Sequence, residues 1–197
     1  MLLLGLSAPT DDDPFGGPLL RALASPGASG TRLVVSTTPS VLAREGSGIA
    51  PTHPVADTLR QMAALADGLV ITVPESGSAP AASLRTLLNW LTWPAEDSPL
   101  VDKPVAVLTT SAGPAVSSPQ PYCEVERMLF SAGADIVGPR TVIGRAAQVL
   151  REREDGQVTF DDPGAAVRLL FHIHRIAAAA RQNAGLPPTD DSRPWLL

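Results

Sequence analysis

The chain has one cysteine, one tyrosine and three histidines in 197 residues, and aromatic residues make up 4% of it. A lone thiol, Cys123, excludes an internal disulfide framework and a cysteine-based metal centre. It fits a reducing cytosol, so a cytoplasmic location is expected. Positive charge is also scarce: 15 Lys and Arg against 20 Asp and Glu give a net charge of −5, with no basic block. Binding nucleic-acid phosphates requires a clustered positive surface, so nucleic acid is not an expected partner. No apolar run approaches the roughly 20 residues of a membrane span. Met1–Leu6 is apolar but short, no Lys or Arg precedes it, and Asp11, Asp12 and Asp13 follow, so neither a leader nor a membrane partner is expected.

What is present is globular in character, with 44% hydrophobic and 18% charged residues. Short runs that are apolar on both faces, Leu2–Leu6, Arg32–Ser36, Leu69–Val73, Val105–Leu108 and Ile136–Val137, predict strands of a parallel sheet covered on each side. Between them lie helix-spaced apolar sets: Leu59, Met62, Ala63 and Ala66; Leu84, Leu87, Leu88 and Leu91; Val125, Met128, Leu129 and Ala132; Val167, Leu170 and Phe171. Asp162-Pro163 reads as an N-cap with proline in the first turn, and Pro80 takes the same place before Leu84. The alternation predicts an α/β fold, a doubly wound five-stranded parallel sheet of order 2-1-3-4-5 with helices on both faces. Residues 1–184 are expected to form one domain and 185–197 a tail, with 38–54 a second mobile stretch. Ligands of such sheets gather beyond the carboxyl ends of strands 1, 3 and 4, which directs attention to Ser7–Gly17, Pro74–Pro80 and Ser111–Pro121.

Several separated segments carry a family resemblance. Ala66-Asp67-Gly68-Leu69-Val70-Ile71-Thr72-Val73-Pro74-Glu75 resembles the third strand of the NADPH-dependent FMN reductases, and Leu84-Arg85-Thr86-Leu87-Leu88-Asn89-Trp90 the helix after it. Asp102-Lys103-Pro104-Val105-Ala106-Val107 is similar to the family's fourth strand with its Lys-Pro lead-in, and Ser131-Ala132-Gly133-Ala134 to the turn into the fifth. The resemblance spans roughly residues 2–150. It implies a flavodoxin-like fold, bound FMN, NAD(P)H as co-substrate and a homodimer. It further implies that Ser7, Thr10, Phe15 and Gly16 lie at the FMN phosphate, Pro74, Glu75, Ser76 and Gly77 at the ring edge, and Ser111, Ala112 and Gly113 beneath the ring. Glu75 is the catalytic candidate.

The ligand loops depart from the family's pattern. Its first loop reads Gly-Ser-x-Arg-x-x-Ser-x-Asn; here Ala8 and Pro9 replace the glycine and first serine, Asp11 the arginine, Pro14 the second serine and Gly16 the asparagine. Two prolines remove N–H donors and the acids repel an anion, opposite to what a phosphate requires. In the second loop the ring-flanking tyrosine is Ser76 and the asparagine Gly77. Tyr122 or a tryptophan of a second subunit is the available substitute. Two functions stay open: an FMN-dependent NAD(P)H oxidoreductase of the flavin or quinone reductase type passing hydride to a small acceptor, or a fold relative that lost FMN. The latter would be a non-redox enzyme of specialised metabolism, with Glu75, His53 or Tyr122 as acid-base candidates, or a non-catalytic dimeric binding protein. Asp11–Asp13 reads as a solvated loop with a helix cap, Cys123 as a partly buried structural thiol, and Trp90 and Trp93 as core or interface. His172 and His174 point different ways and share no metal, one of them packing in the core; no metal site is expected.

Overall fold

Leu2–Leu6 (β1), Arg32–Val35 (β2), Gly68–Pro74 (β3), Pro104–Thr110 (β4) and Asp135–Ile136 (β5) pair in the order β2-β1-β3-β4-β5 in a computed structural model, every neighbour parallel. The structure describes residues 1–8, 13–24, 31–36, 41, 52–75, 82–115 and 120–186. The expected strand order is therefore the observed one. Every residue of β3 and β4 is buried, because helices cover both faces of the sheet centre. Pro54–Leu65 (α2), Ala82–Leu91 (α3) and Gln120–Ser131 (α4) close one face. Gly16–Ala24 (α1) and Pro163–Asn183 (α6) close the other. Along α3 the spacing of Leu84, Leu87, Leu88 and Leu91 puts all four in the core with Trp90. Each such side chain contributes roughly 1.5–3 kcal/mol on burial.

Helix starts follow their sequence signals. Asp162 caps α6 by accepting the Gly164 N–H at 2.8 Å, and His53 caps α2 by accepting the Val55 N–H on Nδ1 at 3.2 Å. The Lys-Pro lead-in has a structural explanation: Lys103 Nζ donates to the Ala66 carbonyl at 2.6 Å and the Ala64 carbonyl at 3.4 Å, closing the carboxyl end of α2. A cation there satisfies open carbonyls and meets the negative end of the helix dipole. Lys103→Met should lower stability by about 1 kcal/mol in urea unfolding, with an unchanged m-value. Gly68 has a packing reason, since a Cβ there would sit 2.5 Å from Ile176 Cγ2 and 3.0 Å from the Pro104 carbonyl. The bare backbone lets α6 lie directly on β3.

Three sequence expectations need correction. The fifth strand is not Ile136–Val137 but two short pieces, β5 and Thr141–Ile143 (β6), each paired with β4. Gly138, at φ +91°, and Pro139, without an N–H, interrupt the ladder between them. After the four-residue helix Ala146–Val149 (α5), Leu150–Glu152 (β7) and Val158–Phe160 (β8) form an antiparallel hairpin that periodicity alone did not reveal. Its turn carries Asp155-Gly156, with Gly156 at φ +78°. On α6 the core stripe is Ala165, Leu169, Ile173 and Ile176, whereas Val167 and Phe171 are exposed. Pro80 and residues 187–197 lie outside the described residues, as does most of 38–54. Among those described, no helix is long and apolar enough to cross a membrane.

Candidate functional site

The register that aligns Pro74 with Thr110 brings the carboxyl ends of β3 and β4 level. β1 ends beside them, and the amino end of α1 closes over the crevice. A cleft of about 410 Å³ opens there, lined by Asp13, Pro14, Phe15, Pro74, Glu75 and the run Thr110–Pro114. Six of the predicted residues thus meet on one wall system: Phe15, Pro74, Glu75, Ser111, Ala112 and Gly113. Ser7, at the end of β1, and Gly16, opening α1, sit behind them and are buried. Thr10, Ser76 and Gly77 lie outside the described residues, as do Asp11 and Asp12. A larger hollow of about 640 Å³ lies at the other end of the sheet, among Asn89, Ser98, Val101 and Met128. It is at the amino ends of β4 and β5, away from the strand ends where open sheets bind ligands, so the smaller cleft is the functional candidate.

The cleft loop after β4 is pinned by the end of β6 and the turn into α5. The Ser111 N–H donates to the Ile143 carbonyl at 2.9 Å, the Ala146 N–H to the Ser111 carbonyl at 2.9 Å, and the Arg145 N–H to the Gly113 carbonyl at 2.5 Å. Gly144 makes this docking possible, since a Cβ there would stand 2.3 Å from the Ala115 amide nitrogen. On the opposite wall the Glu75 N–H is committed to the Thr110 carbonyl at 2.7 Å. Glu75 lines this wall of the cleft, and its Oε1 is buried and has no hydrogen-bond partner among the described residues. An acceptor held in this way is suited to a ligand N–H.

Asp13 is the residue that sequence reasoning misjudged. The expected helix cap is present, with the Gly16 N–H donating to Oδ1 at 2.8 Å, but the side chain is not solvated. It is 1% exposed and also accepts from Thr110 Oγ1 at 2.8 Å. Oδ2 and Thr72 Oγ1 approach each other without a well-formed hydrogen bond, and both stay buried and unpaired among the described residues. Burial raises the Asp13 pKa above the usual 3.8, and the hydrogen bonds from Thr110 and Gly16 offset this only in part. The folded chain therefore keeps this proton to higher pH than the unfolded one, and Asp13 withdraws stability as pH rises from 3.8 through its folded pKa. Asp13→Asn has no proton to lose and should gain in melting temperature on the wild type as pH rises. Thermal unfolding from about pH 4 to about pH 8 measures this, and parallel profiles would contradict it.

The other candidates do not join the cleft. His53 caps α2 and stacks at 6.4 Å on Trp90, a core residue. Tyr122 is buried, with the Arg140 guanidinium 4.9 Å over its ring, and desolvation, with Glu126 beside it, pushes its pKa up. Neither flanks the opening. Cys123 is exposed rather than partly buried. Trp93 is half exposed beneath the Arg60 guanidinium at 5.7 Å. His172 is the core histidine, its Nε2 2.5 Å from Thr141 Oγ1 and its pKa lowered by desolvation and then by Arg175. Among the described residues, no group of three or more His, Cys, Asp and Glu could hold a metal.

Comparison with known proteins agrees with this fold. No curated protein sequence matches the chain. It overlays on FerB, a flavoenzyme NAD(P)H:(acceptor) oxidoreductase from Paracoccus denitrificans, with a TM-score of 0.71 and 15% identity, covering 91% of this chain and 97% of that one. The apo form of an NADH:FMN oxidoreductase, EMOB, gives a TM-score of 0.58 at 17% identity, over 98% of this chain and 93% of that one. General stress protein 14 from Treponema denticola, solved with FMN, gives 0.51 at 14% identity, over 93% and 95%. At these identities the likeness is one of fold. The family model for NADPH-dependent FMN reductase matches residues 18–121, more than half of the chain, and begins only past the β1–α1 loop. By that match the chain belongs to the NADPH-dependent FMN reductase family.

Proposed function

We propose that the chain is a flavin-dependent NAD(P)H oxidoreductase that holds an isoalloxazine ring in the cleft between Phe15, Pro74–Glu75 and Ser111–Gly113. The observation carrying this reading is the buried, unpaired Glu75 Oε1 on the wall of a mostly apolar cleft at the sheet's switch point. A flat heteroaromatic ring with an imide N–H satisfies that acceptor and covers the apolar walls. Family membership and the flavoenzyme neighbours support the same reading. When bound, the flavin supplies the hydride-accepting centre, and the protein's work is binding, orientation and exclusion of water. Phe15, Pro74 and Pro114 would provide the apolar contact, Glu75 would accept a ring N–H, and the pinned 111–113 loop would form the facing wall. No acid-base residue is required for hydride transfer itself, which is consistent with a cleft whose only described carboxylates are Asp13 and Glu75.

Purified protein mixed anaerobically with a flavin and then NADH or NADPH should bleach the flavin's visible absorbance far faster than the protein-free mixture. Equal rates with both nucleotides, with and without protein, would reject the assignment. Glu75→Ala should weaken flavin binding about tenfold, while Glu75→Gln, which retains an acceptor oxygen, should lose about threefold or less. Fluorescence titration measures both.

A further inference from the structure

The cleft suits a flavin ring better than it suits a flavin phosphate. A phosphate at the start of α1 would need the helix's first N–H groups, which point outward with a positive dipole end. Here the Gly16 N–H is already given to Asp13, the Leu19 N–H closes on the Phe15 carbonyl, and Pro18 has none. The carboxylate that takes the Gly16 donor is not free to leave. Thr110 holds Oδ1 from the end of β4, and Oδ2 is packed into the space a Gly16 side chain would fill, 2.0 Å from that Cβ position, with Thr72 Oγ1 2.3 Å from it.

We propose that Asp13 acts as a built-in anion at the amino end of α1, so that the chain selects flavins without a terminal phosphate, riboflavin being the type. This rests on the ring-binding reading above. A phosphate dianion brought to the same helix end meets the buried carboxylate and finds the Gly16 amide spent; a neutral ribityl hydroxyl meets neither obstacle. Two further side chains lie near this helix end. Ser7 Oγ lies 3.8 Å from where a Gly17 Cβ would stand and offers a hydroxyl to another hydroxyl. Arg21 Nη1 lies 3.9 Å from the same point, and its Nη2 makes an exposed pair with Glu152 on the β7–β8 hairpin at 3.6 Å. The family match, which starts only at residue 18, leaves this end of the site outside the shared pattern.

The test is a fluorescence titration of the full chain with riboflavin, FMN and lumiflavin, the last being ring without side chain. Riboflavin should bind at least about tenfold more tightly than FMN, and lumiflavin should bind measurably. Asp13→Asn should bring FMN to within about threefold of riboflavin by removing the charge while keeping an oxygen for the Gly16 N–H. FMN binding as tightly as riboflavin to the wild type would overturn the selection while leaving the ring site standing. So would an FMN affinity that Asp13→Asn leaves unchanged. If none of the three ligands binds, the ring-binding reading itself falls and the selection falls with it. Should the variant not fold, the wild-type comparison decides alone.

Discussion

Gly16→Ala should destabilise the folded chain by about 1–3 kcal/mol, although alanine is the better helix former. Propensity alone favours alanine by up to about 1 kcal/mol inside a helix. Against this stands a Cβ 2.0 Å from Asp13 Oδ2, 2.3 Å from Thr72 Oγ1 and 2.7 Å from Asp13 Cγ. Side-chain tips often give way to such an intrusion, but these cannot do so cheaply. Asp13 is held by Gly16 and Thr110, and Thr72 is fully buried in the centre of the sheet. Relief therefore breaks the cap of α1 or moves the helix off β3. Gly17→Ala is the control, because its Cβ would meet nothing nearer than Ser7 Oγ at 3.8 Å. It should be neutral or slightly stabilising. Urea unfolding of both variants decides; equal behaviour would show that the crowding around Asp13 is unimportant.

Gly144→Ala should lower flavin affinity by more than about fiftyfold, with a smaller loss of stability of about 1–2 kcal/mol. The added Cβ would meet backbone, not a flexible tip: the Ala115 nitrogen at 2.3 Å and its Cα at 2.9 Å. Backbone yields only by moving as a segment, and this segment is the wall beneath the proposed ring. Its three ties to Ile143, Arg145 and Ala146 would be strained together. Binding is expected to suffer more than folding because the rest of the core does not depend on that loop. Calorimetric or fluorescence titration alongside urea unfolding separates the two effects. Unchanged affinity with lowered stability would place the ligand elsewhere.

Much of the architecture was legible because the sheet centre is apolar on both faces. β1, β3 and β4 appear as unbroken hydrophobic runs, and only a parallel sheet clad on both sides uses such runs. The cleft loops followed from the strand order. What failed were features set by distant partners or by competing local patterns. Asp13 sits in a run of acids and looks solvated; its burial comes from Thr110, 97 residues away. On α6 two apolar stripes compete: Val167, Leu170 and Phe171 share helical spacing, but it is Leu169 with Ile173 that packs. The β7–β8 hairpin did leave a signal, Asp155-Gly156 between two β-prone triplets, which short-range turn chemistry would have found. The split of β5 from β6 is marked by Gly138-Pro139 in the same way.

A helix start that supplies its own carboxylate, as Asp13 does for α1, does not depend on an external anion to satisfy it.

The most direct measurement is a crystal structure of the chain grown with riboflavin. The ring should lie against Pro74 and the 111–113 loop, with its imide N–H on the Glu75 carboxylate and Asp13 still bonded to Gly16 and Thr110. A ring bound in the hollow by Val101 and Met128, or a cleft closed by its own side chains in the presence of saturating flavin, would contradict the account.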